Sequence, residues 1–293
     1  MIRLGTRGSA LALAQAHWVA ERLRGEVELV TITTSGDRGA GGDKARFVKE
    51  IDEALLAGEI DLAVHSAKDV PAELPDGLSI VGVPERADPL DALCGAPALD
   101  ELPAEASVGT ASVRRRAELL ALRPDLDVRD LRGNVDTRLR RLADGDFDAI
   151  VLARAGLERL GRGGEGAPLP QLVPAPGQGC LALEARSDDR QAAEAAAAIT
   201  ERDALTALTA ERALVEALGA TCHTPVGAHA RLDGGALHLT AFVGMPDGSH
   251  WIRDQLSAEP SDPAGIGREL AGRLESAGAR ELLADAERAG TRG

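Results

Sequence analysis

Leu4-Gly5-Thr6-Arg7-Gly8-Ser9 and Val108-Gly109-Thr110-Ala111-Ser112 carry one signal twice: a strand ending in Gly-Thr, then a serine placed to open a helix. A second pair follows in the same order. Gly58-Glu59-Ile60-Asp61-Leu62-Ala63-Val64 resembles Gly145-Asp146-Phe147-Asp148-Ala149-Ile150-Val151. The separations are 104 and 87 residues, and the common order reads either as two halves repeating one topology or as chance similarity of short α/β segments. Around these segments, short β-type runs (2–6, 27–33, 61–66, 78–83, 107–110, 128–131, 147–153) alternate with helical ones (9–24, 47–57, 113–122, 135–143). That alternation is the pattern of an α/β sheet. The expected fold class is therefore α/β, with two lobes forming a clamshell. In open α/β sheets ligands sit outside the carboxyl ends of the strands, and the free N–H groups of a helix start favour an anion. A cleft for a small anionic ligand follows, lined by Arg7, Ser9, Thr110 and Ser112.

Beyond Pro174-Ala175-Pro176-Gly177-Gln178-Gly179 the chain changes character. An alanine-rich stretch over 190–218 reads as helix. Runs 225–232 and 236–243, joined by Asp233-Gly234-Gly235, read as a hairpin, with a third strand over 251–256. Two helices follow, over 262–276 and 278–288, which makes a small α+β third domain.

The composition narrows the function. The 293 residues carry a net charge of -14, a field that repels nucleic acid and anionic membranes. Aromatic residues make up 2% and tyrosine is absent, which argues against base-stacking platforms. No apolar run reaches the ~18 residues of a membrane span, and the first residues lack a signal-peptide pattern. Cys94, Cys180 and Cys222 have no CxxC spacing, so neither a disulfide framework nor a metal site is expected and the compartment reads as cytoplasmic. Within this acidic chain, residues 110–162 hold twelve arginines against nine acids. Lysine is confined to Lys44, Lys49 and Lys68.

Several segments could carry chemistry. His65-Ser66-Ala67-Lys68-Asp69-Val70-Pro71 directly follows a strand. Asp69 reads either as a general acid/base or cation stabiliser, with Lys68 as an anion clamp or Schiff-base amine, or both belong to a solvated loop. Arg114 and Arg115 open a helix, where cations oppose the macrodipole, and this implies an anion to neutralise. Arg132 follows a strand, and guanidinium forks suit carboxylates. Arg116, Arg140 and Arg141 read better as a solvated helix face. The glycine-rich loop 34–44 reads as a lid or a surface loop. Cys94 and Cys180 read as small buried hydrophobes, whereas Cys222 lies in a turn beside His223, which favours a reactive thiolate.

Together these stretches resemble porphobilinogen deaminases. HSAKDVP at 65–71, VGTASVRRR at 108–116, LRGNVDTRL at 131–139, LARAGLERLG at 152–161, PAPGQG at 174–179 and the Cys222 loop occur in the family's order and spacing over residues 2 to about 230. Two features depart from the pattern: loop 34–46 is short, and Ala111 stands where a serine is common.

The resemblance implies two lobes like those of periplasmic binding proteins, lobe one over 1–84 and about 181–199 and lobe two over 85–180. A cofactor-attachment domain follows over 204–293. It implies a transferase of tetrapyrrole (haem) biosynthesis that joins four porphobilinogen molecules head to tail, releasing ammonia and then hydroxymethylbilane. The implied cofactor is a dipyrromethane held as a thioether by Cys222. Asp69 would be the catalytic acid. Arg7, Lys68, Arg114, Arg115, Arg132, Arg138 and Arg159 would bind carboxylates of cofactor and substrate, with Ser9, Ser66, Thr110 and Ser112 as neutral donors. Phe47 would lie against a pyrrole, and Lys44 belongs to the lid. Porphobilinogen would be the sole partner of a monomer. Two other classes fit parts of the sequence: a non-catalytic carboxylate receptor, and a phosphate- or RNA-binding protein.

Overall fold

The computed structural model describes residues 1–34, 48–221 and 223–290. The chain runs β1 (Ile2–Arg7), α1 (Ala10–Ala20), β2 (Val27–Ile32), α2 (Lys49–Leu56), β3 (Leu62–Ser66) and β4 (Leu78–Gly82). Next come β5 (Asp91–Cys94), β6 (Ser107–Gly109), α3 (Val113–Leu122), β7 (Asp127–Arg129), α4 (Val135–Ala143), β8 (Ala149–Ala153), α5 (Arg154–Arg159) and β9 (Ala167–Leu169). Then follow β10 (Leu181–Arg186), α6 (Arg190–Ala197) and α7 (Arg202–Ala217). The chain ends with β11 (Val226–Asp233), β12 (Ala236–Gly244), β13 (Trp251–Ala258), α8 (Pro263–Ser276) and α9 (Ala279–Gly290).

The repeat read from sequence is present in the sheets. One sheet has the order β2-β1-β3-β10-β4 and another β7-β6-β8-β5-β9. In the first, β1 pairs parallel with β2 and β3, and β10 runs antiparallel between β3 and β4. In the second, β6 pairs parallel with β7 and β8, and β5 runs antiparallel between β8 and β9. The register repeats as well. Leu4 faces Leu62 and Gly5 faces Ala63, as Val108 faces Ala149 and Gly109 faces Ile150. The shared glycine has a packing cause: a Cβ on Gly5 would lie 2.3 Å from Ile60 Cδ1, and one on Gly109 2.8 Å from Leu131 Cδ2. No side chain fits either place without displacing the core.

Contacts divide the chain into two compact units, Met1–Ala87 with Gly179–Thr206 and Asp88–Gln178 with Ala207–Gly293. In the first, Leu4, Leu62, Val64, Leu183 and Val19 form the core on one side of the sheet, and Ile51, Leu55 and Ile60 form a second cluster. In the second, Leu93, Val108, Leu119 and Val151 pack one face of the five-stranded sheet, and Leu131, Phe147, Ile150 and Leu157 pack the other. Its three-stranded sheet, β11-β12-β13, is antiparallel throughout and buries Leu237 and Leu239 with Leu270 and Leu274 of α8. Leu274 is fully buried. Leu274→Ala should destabilise the chain by about 2–5 kcal/mol in urea unfolding.

Two kinds of difference from the sequence reading have local causes. The alanine-rich stretch is two helices. Thr200 Oγ1 donates to Ala196 O at 2.8 Å and accepts from Val83 N at 3.1 Å, which ends α6. The carboxylate of Glu201 then accepts from Ala204 N at 2.6 Å and starts α7. The strands β5, β9 and β10 were not among those expected. β5 and β10 are almost wholly buried and so lack alternation, and β9 contains Pro168.

Candidate functional site

In the first unit the site grows from two parallel neighbours. β1 ends at Arg7 and β3 at Ser66, so both residues stand at the carboxyl edge of one sheet. Ser9 then caps α1, its Oγ accepting from Ala12 N at 3.2 Å. After Ser66 a short helical turn, Ala67–Asp69, carries Lys68 and Asp69 before Pro71 redirects the chain. The result is a pocket lined in part by Arg7, Ser9, Gln15, His65, Ser66 and Asp69. Arg7, Ser9, Ser66 and Asp69, all named from sequence, thus share one pocket.

Gln15 was not singled out by sequence. It is 4% exposed on α1, and its Nε2 donates to Ser66 Oγ at 2.8 Å. The available signal was a polar side chain inside an otherwise Ala/Leu-rich helix. An amide buried there requires a polar partner from the site.

In the second unit the equivalent junction lies after β6. Thr110 Oγ1 accepts from Ser112 N at 3.2 Å, and Ser112 caps α3 by accepting from Arg115 N at 3.4 Å. The anion that a basic helix start calls for is within the chain. Arg114 and Arg115 are 3% and 5% exposed. Arg114 Nη2 donates to Asp91 Oδ2 at 2.8 Å, and its Nη1 reaches Glu118 Oε2 at 2.8 Å and Val173 O at 2.7 Å. Arg115 donates to Asp91 Oδ1 through Nη2 at 2.7 Å and to Val151 O through Nη1 at 2.8 Å. Where the sequence reading puts both guanidinium groups on a ligand, they are already engaged by chain carboxylates. Direct contact with a ligand would require exchange of those partners.

Asp91 itself is fully buried. Burial alone would raise its pKa, but Arg114, Arg115 and the Gln178 amide outweigh it and hold the carboxyl well below the usual range. Gln178 Nε2 donates to Asp91 Oδ1 at 2.9 Å, which links the PAPGQG segment to this network. Glu118 goes the other way: burial pushes it up to about 7 against the opposing charge of Arg114. Glu211, also fully buried, accepts from Gly177 N at 2.6 Å and Ala230 N at 2.7 Å, and so ties the same segment to β11. Asp91 and Glu211 escaped sequence reading because the groups they bind are at least 19 residues away in sequence.

The other predicted arginines are more open. Arg132 has 68% of its side chain exposed and lies 3.3 Å from Asp130 Oδ2. Arg138 Nε donates to Gly133 O at 2.6 Å. Arg159 is in the last turn of α5. Cys94 and Cys180 are buried, as expected, and burial pushes the Cys94 thiol up to about 11. Beside the third cysteine, Thr221 N donates to Thr224 Oγ1 at 2.9 Å and Thr224 Oγ1 donates to Thr221 O at 2.7 Å. Cys222, Lys44 and Phe47 lie outside the described residues. Among the described residues, no helix is long and apolar enough to cross a membrane.

Twin α/β sheets, one of them carrying a cation, hydroxyls and a carboxylate in a pocket at its strand ends, define an α/β protein with a polar pocket at the carboxyl edge of a sheet. Comparison with known families makes this specific. The description "porphobilinogen deaminase, dipyromethane cofactor binding domain" matches residues 2–194, and the C-terminal domain of the same family matches 205–276. A porphobilinogen deaminase of Thermus thermophilus is 49% identical over 296 residues, covering 97% of this chain and 98% of that protein. One of Deinococcus radiodurans is 48% identical over 301 residues, covering 96% and 97%. The chain belongs to the porphobilinogen deaminase family, whose members are transferases. Among solved structures, a periplasmic substrate-binding protein of Coxiella burnetii is similar at TM-score 0.43 and 17% identity, covering 70% of this chain and 94% of that one. That similarity says nothing about ligand.

Proposed function

We propose that the chain condenses four porphobilinogen molecules head to tail on a dipyrromethane held by Cys222, releasing ammonia and then hydroxymethylbilane, as a cytoplasmic monomer whose only partner is this small substrate. The observation that carries the reading is the pocket shared by Arg7, Ser9, Ser66 and Asp69.

The donor set suits the cofactor. Each of its rings would bring carboxylates and one N–H to be satisfied. Arg7, the Ser9 hydroxyl and the open N–H groups at the start of α1 are donors for a carboxylate. The Asp69 carboxylate is an acceptor for pyrrole N–H groups and a counter-charge for a cation. When bound, the cofactor supplies the acceptor end from which the product grows. The chain's own residues bind, orient and neutralise. Asp69 holds or gives up a proton at its carboxylate. Ser66, fixed by Gln15, adds a hydroxyl beside it. Lys68, Arg132, Arg138 and Arg159 supply further cations, and Thr110 and Ser112 neutral donors. Arg114 and Arg115 hold the start of α3 in place through Asp91. Phe47 and Lys44 complete the assignment as ring-facing and lid residues. Permanently charged guanidinium groups suit a product whose negative charge rises with each ring.

The test is ammonia release from porphobilinogen by the purified chain, with hydroxymethylbilane as the product. Arg132→Leu should raise KM and weaken turnover without loss of fold. A chain that binds porphobilinogen and returns it unchanged would instead be a receptor.

A further inference from the structure

Behind the pocket, three titratable side chains meet in the interior of the first unit. Asp52 comes from α2, His65 from β3 and Glu184 from β10, at 8%, 5% and 1% exposure. Their donor atoms all lie within 4.8 Å of one another. His65 Nε2 stands 3.1 Å from Glu184 Oε2, yet the two are not aligned as a hydrogen bond. Asp52 Oδ1 and both Glu184 oxygens also lack a hydrogen-bond partner. Unpaired buried polar atoms at this density are costly, and two ionised carboxylates together without a counter-charge more so.

A proton relieves this arrangement most simply. Glu184 on β10, His65 on β3 and Glu53 on its own helix act on Asp52. Lys49 and Glu50 share that helix, Arg186 of β10 donates to Leu55 O at the end of α2, and β4 adds no charge. Within the cluster itself, two acids face the single imidazole. Burial first and Glu184 second push Asp52 up to about 7, opposed by His65. The same His65 lines the pocket that holds Asp69. An imidazole can take a proton at one ring nitrogen and release one from the other.

We propose that Asp52, His65 and Glu184 share a stored proton, and that His65 exchanges it with the pocket. The use of this store rests on the reading of function above. When the C–N bond of porphobilinogen breaks, the electron pair leaves on nitrogen, and the amino group takes up one proton to depart as ammonia. The ring C–H bond lost in condensation returns one proton for each ammonia released, so no net proton is gained or lost. Asp69 gives the first proton and takes the second; the cluster, reached through His65, supplies its stored proton to the departing amino group and is refilled by the one from the ring carbon. Asp52 and Glu184 act through His65 and are positioning residues.

Infrared spectroscopy of the full chain without substrate tests the store, independently of whether the chain turns over porphobilinogen. Glu118, which burial also pushes up to about 7, would add a protonated-carboxyl signal of its own, so the informative spectrum is wild type minus Asp52→Asn. A carboxylic-acid carbonyl band should appear in that difference at pH 6 and fade as the pH rises through about 7. In Glu184→Gln the fading should move to lower pH, because Asp52 loses its carboxylate neighbour. For turnover, Asp52→Asn should change the pH profile of kcat and leave KM for porphobilinogen unchanged; a packing role would not reshape the profile. No Asp52-dependent band at pH 6 overturns the proposal. So does a divalent cation retained at one per chain in the wild type and lost in Glu184→Gln.

Discussion

Asp69→Asn should yield a folded chain whose ammonia release falls by about 10²–10⁴-fold, the usual contribution of a positioned acid or base. The argument is local. Asn keeps the shape of the side chain, so the turn Ala67–Asp69 and the β3 edge are retained. It removes the charge, however, and Asp69 is the carboxylate among the residues lining the pocket. The other polar groups there, Arg7, Ser9, Gln15, His65 and Ser66, are cationic, donors or neutral, so none can replace an anion facing a cationic species. Steady-state ammonia release checks this. Turnover within a few-fold of wild type would remove Asp69 from the chemistry.

Asp91→Ala should be the most destabilising single change at the second site, by about 3–5 kcal/mol in urea unfolding, because it leaves two buried guanidinium groups without their shared anion. Both Asp91 oxygens are used, one by each arginine. The pH dependence follows from the signs. Asp91 titrates below its unfolded value, so its contribution is complete above the ordinary carboxylate range and is lost only in strong acid. Glu118 is raised to about 7, so the folded chain holds a proton there that the unfolded chain has released. Its contribution is present at low pH and declines as pH rises towards about 7. A loss below about 1 kcal/mol for Asp91→Ala would mean that the two arginines find other partners.

The duplicated sheet was legible because its signals are local. A strand, a glycine that cannot carry a side chain and a capping serine recur at Gly5/Ser9 and Gly109/Ser112, and the pairing registers repeat with them. β10 was not legible, since it is inserted between β3 and β4 from more than a hundred residues away and shows no alternation. The same limit governs the sites. Arg7, Ser9, Ser66 and Asp69 follow strand ends closely in sequence and come together as expected. Arg114 and Arg115 open a helix against its dipole, which pointed to an anion, read from sequence as a ligand. That the anion is Asp91 depends on an antiparallel strand, β5, that no periodicity revealed. Asp52 and Glu184 look like ordinary acids of an exposed helix and a short strand until the sheet places them against His65.

The intact mass of the purified chain tests the central claim most directly. The account predicts the sequence mass plus two porphobilinogen units less the ammonia lost on attachment, and a return to the bare sequence mass in Cys222→Ala. A wild-type chain that turns over porphobilinogen while weighing no more than its sequence would contradict it.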